Sequence, residues 1–478
     1  MQQTEYLDNL DESQRKAVEY IEGPSLVIAG AGSGKTRVLT TKIAFLTAHG
    51  LKPWNILALT FTNKAAREMR ERVAAIVGEG VAKYLVMGTF HSVFAKILRK
   101  EAPLLGYTSK FTIYDRTDST SLVKNIVKGM GLDVKVYKPS IVLSKISQAK
   151  NNLILAEEYF NDPDILKRDD SDKVPDVGHI YMKYQQRLKA SDAMDFDDLL
   201  VKMYILLTTH EEVRRKYVDR FNFVLVDEYQ DTNRTQARIL WLLTRERQML
   251  CVVGDDAQSI YAFRGADIGN ILNFTRIFPD ARLFKLERNY RSTKSIVDAA
   301  NSVIAHNRNR IPKDVYSLAG AGQKIEIYPT ESDVEEAERV VKSVCKTNAD
   351  NGVPYSEIAV LYRKNAQSRV IEEALRKSGV PYRVYGGLSF YERKEVKDAI
   401  AYFRMTVNPN DDEAFRRVVN YPARGIGNTT LEKLMSVATN NGISLWETVN
   451  TFAAKELGVS ATTYGRISKF MAMINGFA

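Results

Sequence analysis

Short apolar runs alternate with amphipathic segments over the first part of the chain. Continuous apolar runs are typical of strands buried on both faces, and they occur at 25–31, 56–61, 223–226 and 249–253. Weaker strand predictions fall at 85–88, 111–114 and 282–286. Apolar residues at helical spacing follow the first two runs, over 34–49 and 63–77. This alternation predicts an α/β fold in which helices cover both faces of a parallel sheet.

Two later regions depart from this pattern. Helical spacing dominates from about 115 to 208, which predicts a helical insertion into the α/β domain. A second α/β pattern follows, with strands predicted at 324–328 and 357–361 and helices at 334–346 and 367–378. After Gly386–Gly387 the chain becomes helical again and remains so to Ala478. That last segment ends in apolar residues without a cap, from which we expect a chain cut off within a larger protein.

Composition excludes some classes of protein and favours one kind of partner. No apolar run reaches about 18 residues and the N-terminus is acidic and polar, so we expect neither a membrane span nor a signal peptide. Cys251 and Cys345 lie far apart in the sequence, which fits buried thiols in a reducing cytoplasm. The net charge of +10 favours polyanionic partners such as nucleic acid, although charge alone does not identify one.

A glycine-rich segment between a predicted strand and a predicted helix carries the first candidate chemistry. It consists of Ala29, Gly30, Ala31, Gly32, Ser33, Gly34, Lys35 and Thr36. Glycines let backbone N–H groups converge on phosphate oxygens at the start of a helix, where the helix dipole adds positive potential. Lys35 would then reach the β- and γ-phosphates, and Thr36 would ligate Mg²⁺. Ala29 replaces the first glycine of the general pattern, and a turn that binds nothing is the alternative.

An acid pair follows the apolar run at 223–226. Asp227 would hold Mg²⁺ through water, and Glu228 would polarise the water that attacks the γ-phosphate. Acid pairs after buried strands are common, so this pair indicates a site only in combination with the phosphate loop upstream. Together the two segments predict a site for ATP and Mg²⁺.

Both segments, AGAGSGKT and FVLVDEYQDTN, resemble the UvrD/Rep/PcrA branch of superfamily 1 DNA helicases. Further segments match the motifs of that family in the same order: LDNLDESQRKAV, LALTFTNKAAREM, MGTFHS, DFDDLL, VVGDDAQSIYAFRGAD, LERNYRST, VLYRKNAQSR, YGGLSFYERKEVKD and NYPARGIGNTT. The resemblance implies RecA-like P-loop NTPase domains, whose parallel sheets carry helical insertion subdomains. We therefore expect a first motor domain at 1–112 and 196–283, its insertion at 113–195, part of a second motor domain at 284–386 and part of its insertion at 387–478.

The resemblance also implies roles for residues that match the family's motifs. In the ATP site, Gln14 matches the glutamine that reads the adenine edge, Arg37 lies near the nucleotide and Tyr290 stacks on the base. Gln258 matches a sensor of the γ-phosphate, and Arg291 matches an arginine finger supplied in cis. The motifs that contact single-stranded DNA contain Phe61, Thr62, Asn63, Thr89, His91, Tyr261, Phe263 and Arg264. Gly425 and Gly427 match a hairpin that approaches duplex phosphates.

Each of these assignments has a structural alternative. Tyr261 and Phe263 could be core aromatics, and Phe263 stands where the family often carries Trp. His91 could simply begin a helix, and Arg291 could pair with a surface acid. The Gly425–Gly427 segment could be a plain loop before a helix.

The function that the resemblance implies is ATP-driven 3′→5′ translocation along single-stranded DNA and separation of duplex, in DNA repair or replication. The expected partners are single-stranded DNA, single/double-strand junctions and repair or replication proteins, for a cytoplasmic, nucleoid-associated enzyme. No TIHxAKGLE-like or TRA-like segment, as the family's late motifs would be, occurs in the sequence, so we expect a fragment that binds Mg²⁺-ATP but hydrolyses it poorly. Two alternatives are a nucleotide-dependent DNA-binding module without turnover and the motor of a helicase–nuclease.

Overall fold

The computed structural model describes residues 5–385 and 390–478. The sequence predicts helix after Gly386–Gly387, and this glycine pair lies outside the described residues. Ten strands form within the described residues. They are β1 (Ser25–Ala29), β2 (Ile56–Thr60), β3 (Val86–Thr89), β4 (Thr112–Tyr114), β5 (Ala193–Asp195), β6 (Phe223–Val226), β7 (Leu250–Gly254), β8 (Arg282–Leu286), β9 (Arg288–Asn289) and β10 (Tyr316–Ser317).

Six of these strands form one parallel sheet, in the spatial order β3-β2-β6-β7-β1-β8. Every residue of β1, β2, β6 and β7 is buried, which confirms the prediction made from their continuous apolar runs. The sequence places β8 at the start of a second domain, but β8 pairs with β1, so that Arg282 lies opposite Ser25. The mixture of exposed and buried residues in β8 is typical of a strand at the edge of a sheet. The domain border predicted at residue 283 would cut through this strand.

Twenty-three α-helices lie within the described residues, and none of them combines the length and the apolar composition that crossing a bilayer requires. Their bounds are α1 (Glu12–Glu19), α2 (Lys35–Ala48), α3 (Asn63–Val77), α4 (Glu79–Ala82), α5 (Phe90–Glu101), α6 (Arg116–Gly129), α7 (Pro139–Asn151), α8 (Ala156–Asn161), α9 (Pro163–Ser171), α10 (Val177–Ala190), α11 (Phe196–Thr209), α12 (Glu211–Arg220), α13 (Arg234–Thr244), α14 (Gly269–Leu272), α15 (Phe274–Ile277), α16 (Lys294–Ile304), α17 (Asp333–Asn351), α18 (Ser368–Lys377), α19 (Lys394–Val407), α20 (Asp412–Val418), α21 (Asn428–Asn441), α22 (Leu445–Thr451) and α23 (Ala461–Asn475).

Alternate residues of the central strands feed two apolar layers. On one face Leu26 and Ile28 pack with α5, α11 and α13, and on the other face Val27 and Ala29 pack with α1, α2 and α3. Successive side chains of a strand point to opposite faces, which produces this division. All six strands of the sheet run in the same direction. The loops that follow β1, β2, β3, β6 and β7 therefore all leave from the same edge of the sheet, the one formed by the carboxyl ends of the strands.

The segment predicted as a helical insertion contains α6 to α10, which lie between β4 and β5 in the chain. β4 pairs with β5 outside the six-stranded sheet, so the strand predicted at 111–114 forms but belongs to a separate ladder. A buried ion pair anchors the insertion to α11, because the Nζ atom of Lys150 lies 2.6 Å from Asp195 Oδ2 and 2.9 Å from Asp198 Oδ1. The side chains of Lys150 and Asp198 are each only 1% exposed.

Helices α20 to α23 form a further apolar cluster around Phe415 and Phe470. This helical region contacts the insertion mainly through polar side chains. The Tyr114 hydroxyl donates to Asp411 Oδ1 at 3.0 Å, and the Arg187 guanidinium pairs with Asp412. Chain segments almost 300 residues apart in sequence therefore share one buried hydrogen-bond network.

Backbone contacts divide the described chain into two compact units, one extending to Gly322 and continuing from Asp398 to Ala478, the other Gln323–Lys397. Helices α17 and α18 form the core of the second unit. The strands predicted at 324–328 and 357–361 are wrong for the described residues, which form no strand there. A strand exists only when its backbone is paired, and Ile327 and Leu361 are 87% and 92% exposed. The division predicted at 283 and 386 stays a proposal.

The buried ammonium of Lys150 yields a testable prediction. We expect Lys150→Ala to lower the free energy of unfolding by about 3–5 kcal/mol, because it leaves two buried carboxylates without their cation. Urea denaturation measures the change. Lys167→Ala, on the exposed side of α9, is the matched control, expected to stay within about 0.5 kcal/mol. Equal urea midpoints for the two variants would contradict the anchoring role of Lys150.

Candidate functional site

The predicted phosphate loop joins the carboxyl end of β1 to the first turn of α2. Gly32 and Gly34 have φ angles of +70° and +86°, a left-handed conformation that favours glycine. The Ser33 hydroxyl donates to the carbonyl oxygen of Gly30 at 2.7 Å and closes the loop. Lys35 is the first residue of α2 and is half-buried, as is Thr36. The loop therefore has the strand-to-helix context that phosphate binding requires.

The predicted adenine-side residues also meet at this loop. Gln14 is fully buried, and its Nε2 atom donates to the carbonyl oxygen of Ser33 at 2.9 Å. The Tyr290 hydroxyl donates to Asp11 Oδ2 at 2.6 Å, and burial together with this bond raises the pKa of Tyr290 to about 12. The Tyr290 backbone N–H donates to Gly32 at 2.9 Å. Arg37 is exposed and reaches the carbonyl oxygen of Asn9.

Asp227 and Glu228 end β6 as the sequence predicts. Asp227 is 5% exposed, and its burial and the neighbouring charge of Glu228 raise the pKa of Asp227 to about 7. Lys35 contributes a smaller opposing effect. Glu228 has a φ angle of +49°, which is strained for a residue with a side chain. The pair thus combines a buried acid with an acid held in an unusual backbone conformation.

Gln230 holds this arrangement and was not among the predicted site residues. Its Nε2 atom donates to Glu228 Oε2 at 2.8 Å, and its Oε1 atom accepts from the backbone N–H of Asp255 at 3.0 Å. Gln230 is 1% exposed, and a Cβ atom at Gly254 would lie 2.6 Å from its Oε1. An amide residue two positions after an acid pair is the sequence signal that could have identified it.

The remaining predicted catalytic residues lie on both sides of the phosphate loop. Gln258 Nε2 donates to Asp255 Oδ2 at 2.6 Å, which orients it from the loop after β7. Arg291 packs its Cβ atom close to Gly32, where an added Cβ would lie 2.7 Å away. Lys313, which the sequence analysis missed, is buried between Asp255 and Asp256 at 3.0 and 2.5 Å.

Three aromatic residues predicted to contact DNA form a continuous ladder. The ring centroids of Phe61 and Tyr261 are 5.0 Å apart, and those of Tyr261 and Phe263 are 5.9 Å apart. The Arg264 guanidinium carbon lies 5.4 and 5.5 Å from the centroids of Tyr261 and Phe263. Phe263 is 78% exposed, so the alternative that it is a core aromatic is wrong.

The other predicted DNA contacts occupy the beginnings of helices. The Thr62 hydroxyl accepts from the N–H of Ala65 and caps α3, which begins at Asn63. Thr89 caps α5 in the same way. The ring of His91 lies 5.7 Å from that of Phe196, an exposed aromatic that was not predicted, and burial lowers the pKa of His91. A phenylalanine at the start of a helix, next to an acid cluster, is the signal for Phe196.

Gly425 and Gly427 lie on a separate loop before α21. Gly425 has a φ angle of +71°, and its carbonyl oxygen accepts from Arg466 Nη1 at 3.2 Å. The Arg424 side chain turns inward, where it donates to the carbonyl oxygen of Val418 at 2.9 Å and to the Tyr402 hydroxyl at 2.8 Å. The loop is therefore fixed by side chains, and its contact with duplex phosphates stays a prediction.

Two family models and several known proteins match this chain. Residues 10–279 match the model of the UvrD/REP helicase N-terminal domain, and residues 284–458 match that of the UvrD-like helicase C-terminal domain. The ATP-dependent DNA helicase PcrA of Bacillus subtilis is 45% identical over 469 residues, which are 98% of this chain and 62% of that protein. The PcrA of Staphylococcus epidermidis is 45% identical over 440 residues, 92% of this chain and 59% of that protein. The PcrA of Leuconostoc citreum is 43% identical over 465 residues, 97% of this chain and 61% of that protein.

The chain thus spans about three fifths of the length of these relatives. A model of the C-terminal domain also matches, so the expectation that only the N-terminal part of the family is represented gains no support. Because the N-terminal model alone covers more than half of the chain, this protein belongs to the UvrD/REP helicase family.

Proposed function

We propose that this chain binds ATP with Mg²⁺ and couples its hydrolysis to 3′→5′ movement along single-stranded DNA, the motor activity of a DNA helicase. The observation that supports this proposal most strongly is the aromatic ladder of Phe61, Tyr261 and Phe263, which follows β2 and β7 of the sheet that also carries the phosphate loop. A nucleotide site and a base-stacking surface at one sheet edge are what a nucleic-acid motor requires. The direction of movement rests on the family resemblance.

The residues at the nucleotide site fit the cation. Among the described residues no group of three or more His, Cys, Asp or Glu side chains could hold a metal ion. A Mg²⁺ ion bound here would take most of its ligands from phosphate oxygens and water, with Thr36 and Asp227 completing the set. The raised pKa of Asp227 reflects its burial and the neighbouring charge of Glu228, which a divalent cation would compensate.

In the proposed reaction each protein group has a defined task. Backbone N–H groups of the phosphate loop and the Lys35 ammonium bind the phosphates. A Mg²⁺ ion held by Thr36 and Asp227 would neutralise charge on the transferred group. Glu228 orients and polarises the attacking water, while Gln230 holds the Glu228 carboxylate at 2.8 Å. Arg291 lies against Gly32 of the loop, and we propose that it and Gln258 respond to the γ-phosphate. Hydrolysis thereby changes the contacts of residues connected to the DNA face.

On the DNA side, stacking supplies a grip that is independent of base sequence, because every base has a π-face. The exposed rings of Phe263 and Phe196 and the cationic Arg264 suit an unpaired strand, whose bases are free to stack. We further propose single/double-strand junctions as substrates, with Gly425 and Gly427 towards the duplex. A DNA-binding module without turnover is the competing function, and the first experiment below separates the two.

The nucleotide site is tested by two substitutions with opposite signatures. Lys35→Ala should weaken Mg²⁺-ATP binding and lower hydrolysis by about 100-fold or more, because it removes the cation aimed at the phosphates. Glu228→Gln should leave binding intact and abolish turnover, because it removes the base and keeps Asp227. Calorimetric binding and steady-state phosphate release, with and without oligo(dT), measure both effects. An unaltered chain that binds both ligands without any turnover would favour the module over the motor.

The aromatic ladder is tested by single-strand affinity. Tyr261→Ala and Phe263→Ala should each cost about 1–3 kcal/mol of binding free energy, with an unchanged dependence on salt, because stacking releases no counterions. Arg264→Ala should instead reduce the salt slope if Arg264 contacts phosphate. Fluorescence anisotropy of labelled oligo(dT) over a range of salt concentrations gives both quantities.

Tyr84→Ala is the matched control for the ladder. Tyr84 is 54% exposed and precedes β3, so it lies at the amino ends of the strands, away from the edge that carries the ladder. Its affinity for oligo(dT) should equal that of the unaltered chain. Unchanged affinity in both the Tyr261 and the Phe263 variants would refute the DNA face.

A further inference from the structure

One side chain in the helical insertion contacts three segments of the proposed site at once. Asn151 is the last residue of α7 and is 7% exposed. Its Oδ1 atom accepts a hydrogen bond from Asn233 Nδ2, and its Nδ2 atom lies 3.4 Å from Asp197 Oδ1. It also packs on Gly265, where an added Cβ atom would lie 2.9 Å from Asn151 Cγ.

Each of these contacts belongs to a different part of the site. Asn233 caps the start of α13, in the segment that continues from Glu228 and Gln230. Gly265 closes the turn that carries Phe263 and Arg264, with a φ angle of +86°. Asp197 directly follows Phe196, the exposed aromatic beside His91. Asn151 therefore connects the segment that follows the acid pair to the turn of the aromatic ladder and to the start of α11, beside Phe196.

The backbone around Asn151 is held tightly enough to transmit displacement. The Thr235 hydroxyl, on the first turn of α13, donates to the carbonyl oxygens of Lys150 and Asn151 at 2.9 and 3.2 Å. On the other side Lys150 is fixed by Asp195 and Asp198. A shift of the start of α13 must therefore move the end of α7 or break buried hydrogen bonds, which is costly in a dry interior.

The start of α13 is also connected to the turn of the ladder by backbone bonds. The N–H of Asp267 donates to the carbonyl oxygen of Thr232 at 2.9 Å. That bond fixes the far end of the turn, whereas Asn151 fixes Gly265 by direct contact. Without the Asn151 side chain this backbone bond would remain, but the bridge that Asn151 forms between Asn233 and Gly265 would be lost.

We infer that Asn151 is a positioning residue that couples the occupancy of the nucleotide site to the grip of the aromatic residues on DNA. This inference rests on the proposed function, because it assumes that both ligands bind. Asn151 touches neither ligand itself and acts through Asn233, Gly265 and Asp197. It places in the helical insertion a part of the communication between the two sites, beyond the motifs that form them.

The experiment measures mutual binding, which does not depend on turnover. The affinity for labelled oligo(dT) is measured with and without a non-hydrolysable ATP analogue and Mg²⁺, and the affinity for the analogue with and without oligo(dT). The ratio must be the same in both directions, and allosteric ratios are typically about 5- to 150-fold. We expect Asn151→Ala to bring this ratio to about one while each separate affinity stays within about threefold.

Four further variants make the result decisive. Asn152→Ala, at an exposed neighbouring position, should keep the ratio of the unaltered chain. Asn233→Ala should lower the ratio, and the double variant should lower it no further than Asn151→Ala alone, because the contact with Asn233 is one of those that Asn151 provides. Asn151→Asp keeps the size of the side chain and the acceptor for Asn233 but repels Asp197, and should reduce the ratio in part.

The outcomes separate this inference from the proposed function. If the unaltered chain binds neither nucleotide nor oligo(dT), the proposed function is wrong and the inference falls with it. If it binds both, and Asn151→Ala shows the same ratio as the unaltered chain, or the unaltered chain has a ratio of one, only the inference is overturned. Loss of cooperative thermal melting in both Asn151 variants would assign this side chain a structural role and overturn the inference as well.

Discussion

The parallel direction of the six central strands is the constraint on which the rest of this structure depends. In a parallel sheet each strand must be followed by a crossover, so every loop after a strand leaves from the same edge. The phosphate loop follows β1, and the acid pair follows β6. The residues of the aromatic ladder follow β2 and β7, and His91 follows β3. Groups as far apart in sequence as Gly32 and Phe263 are thereby brought to one side of the sheet.

Within that edge, precise positioning comes from buried polar side chains. Glu228 has a left-handed backbone conformation, which persists only where the surroundings hold it. Gln230 supplies this support, since its amide bonds both the Glu228 carboxylate and the backbone of Asp255. An amide is suited to this task because it donates and accepts at the same time. The same property makes Asn151 and Asn233 a matched pair where the insertion meets α13.

The parts of the fold that could be predicted from the sequence are those with a local cause. A continuous apolar run gives a buried strand, and a glycine pair before Lys35 gives a phosphate loop, so β1, β6 and α2 are located within one or two residues. The grouping of Phe61, Tyr261 and Phe263 followed from the family resemblance, and the structure brings the three rings together. Pairing between distant segments had no local signal. The sequence therefore did not indicate that β8 joins β1, that β4 pairs with β5 or that Gln230 supports Glu228.

The segments at 324–328 and 357–361 show the converse limit. Their residues have strand composition, but composition specifies only what a segment can do when a neighbour is available. In the described residues Ile327 and Leu361 remain exposed, and the backbone there joins no ladder. Whether these segments form strands therefore depends on burial against a neighbour, and not on the strand propensity of their residues.

The position of Lys313 limits where this chain can be cut to make a smaller fragment. Its ammonium lies between Asp255 and Asp256, all three nearly inaccessible to solvent, and Ile311 adds a backbone hydrogen bond to Asp256 at 2.9 Å. The two family models meet between residues 279 and 284, which invites a cut at that point. Such a cut would split the edge strand β8 and remove the cation, leaving two carboxylates buried together beside the loop that orients Gln258. The smallest fragment with an intact nucleotide edge therefore extends beyond the border of the family models and includes the peptide around Lys313.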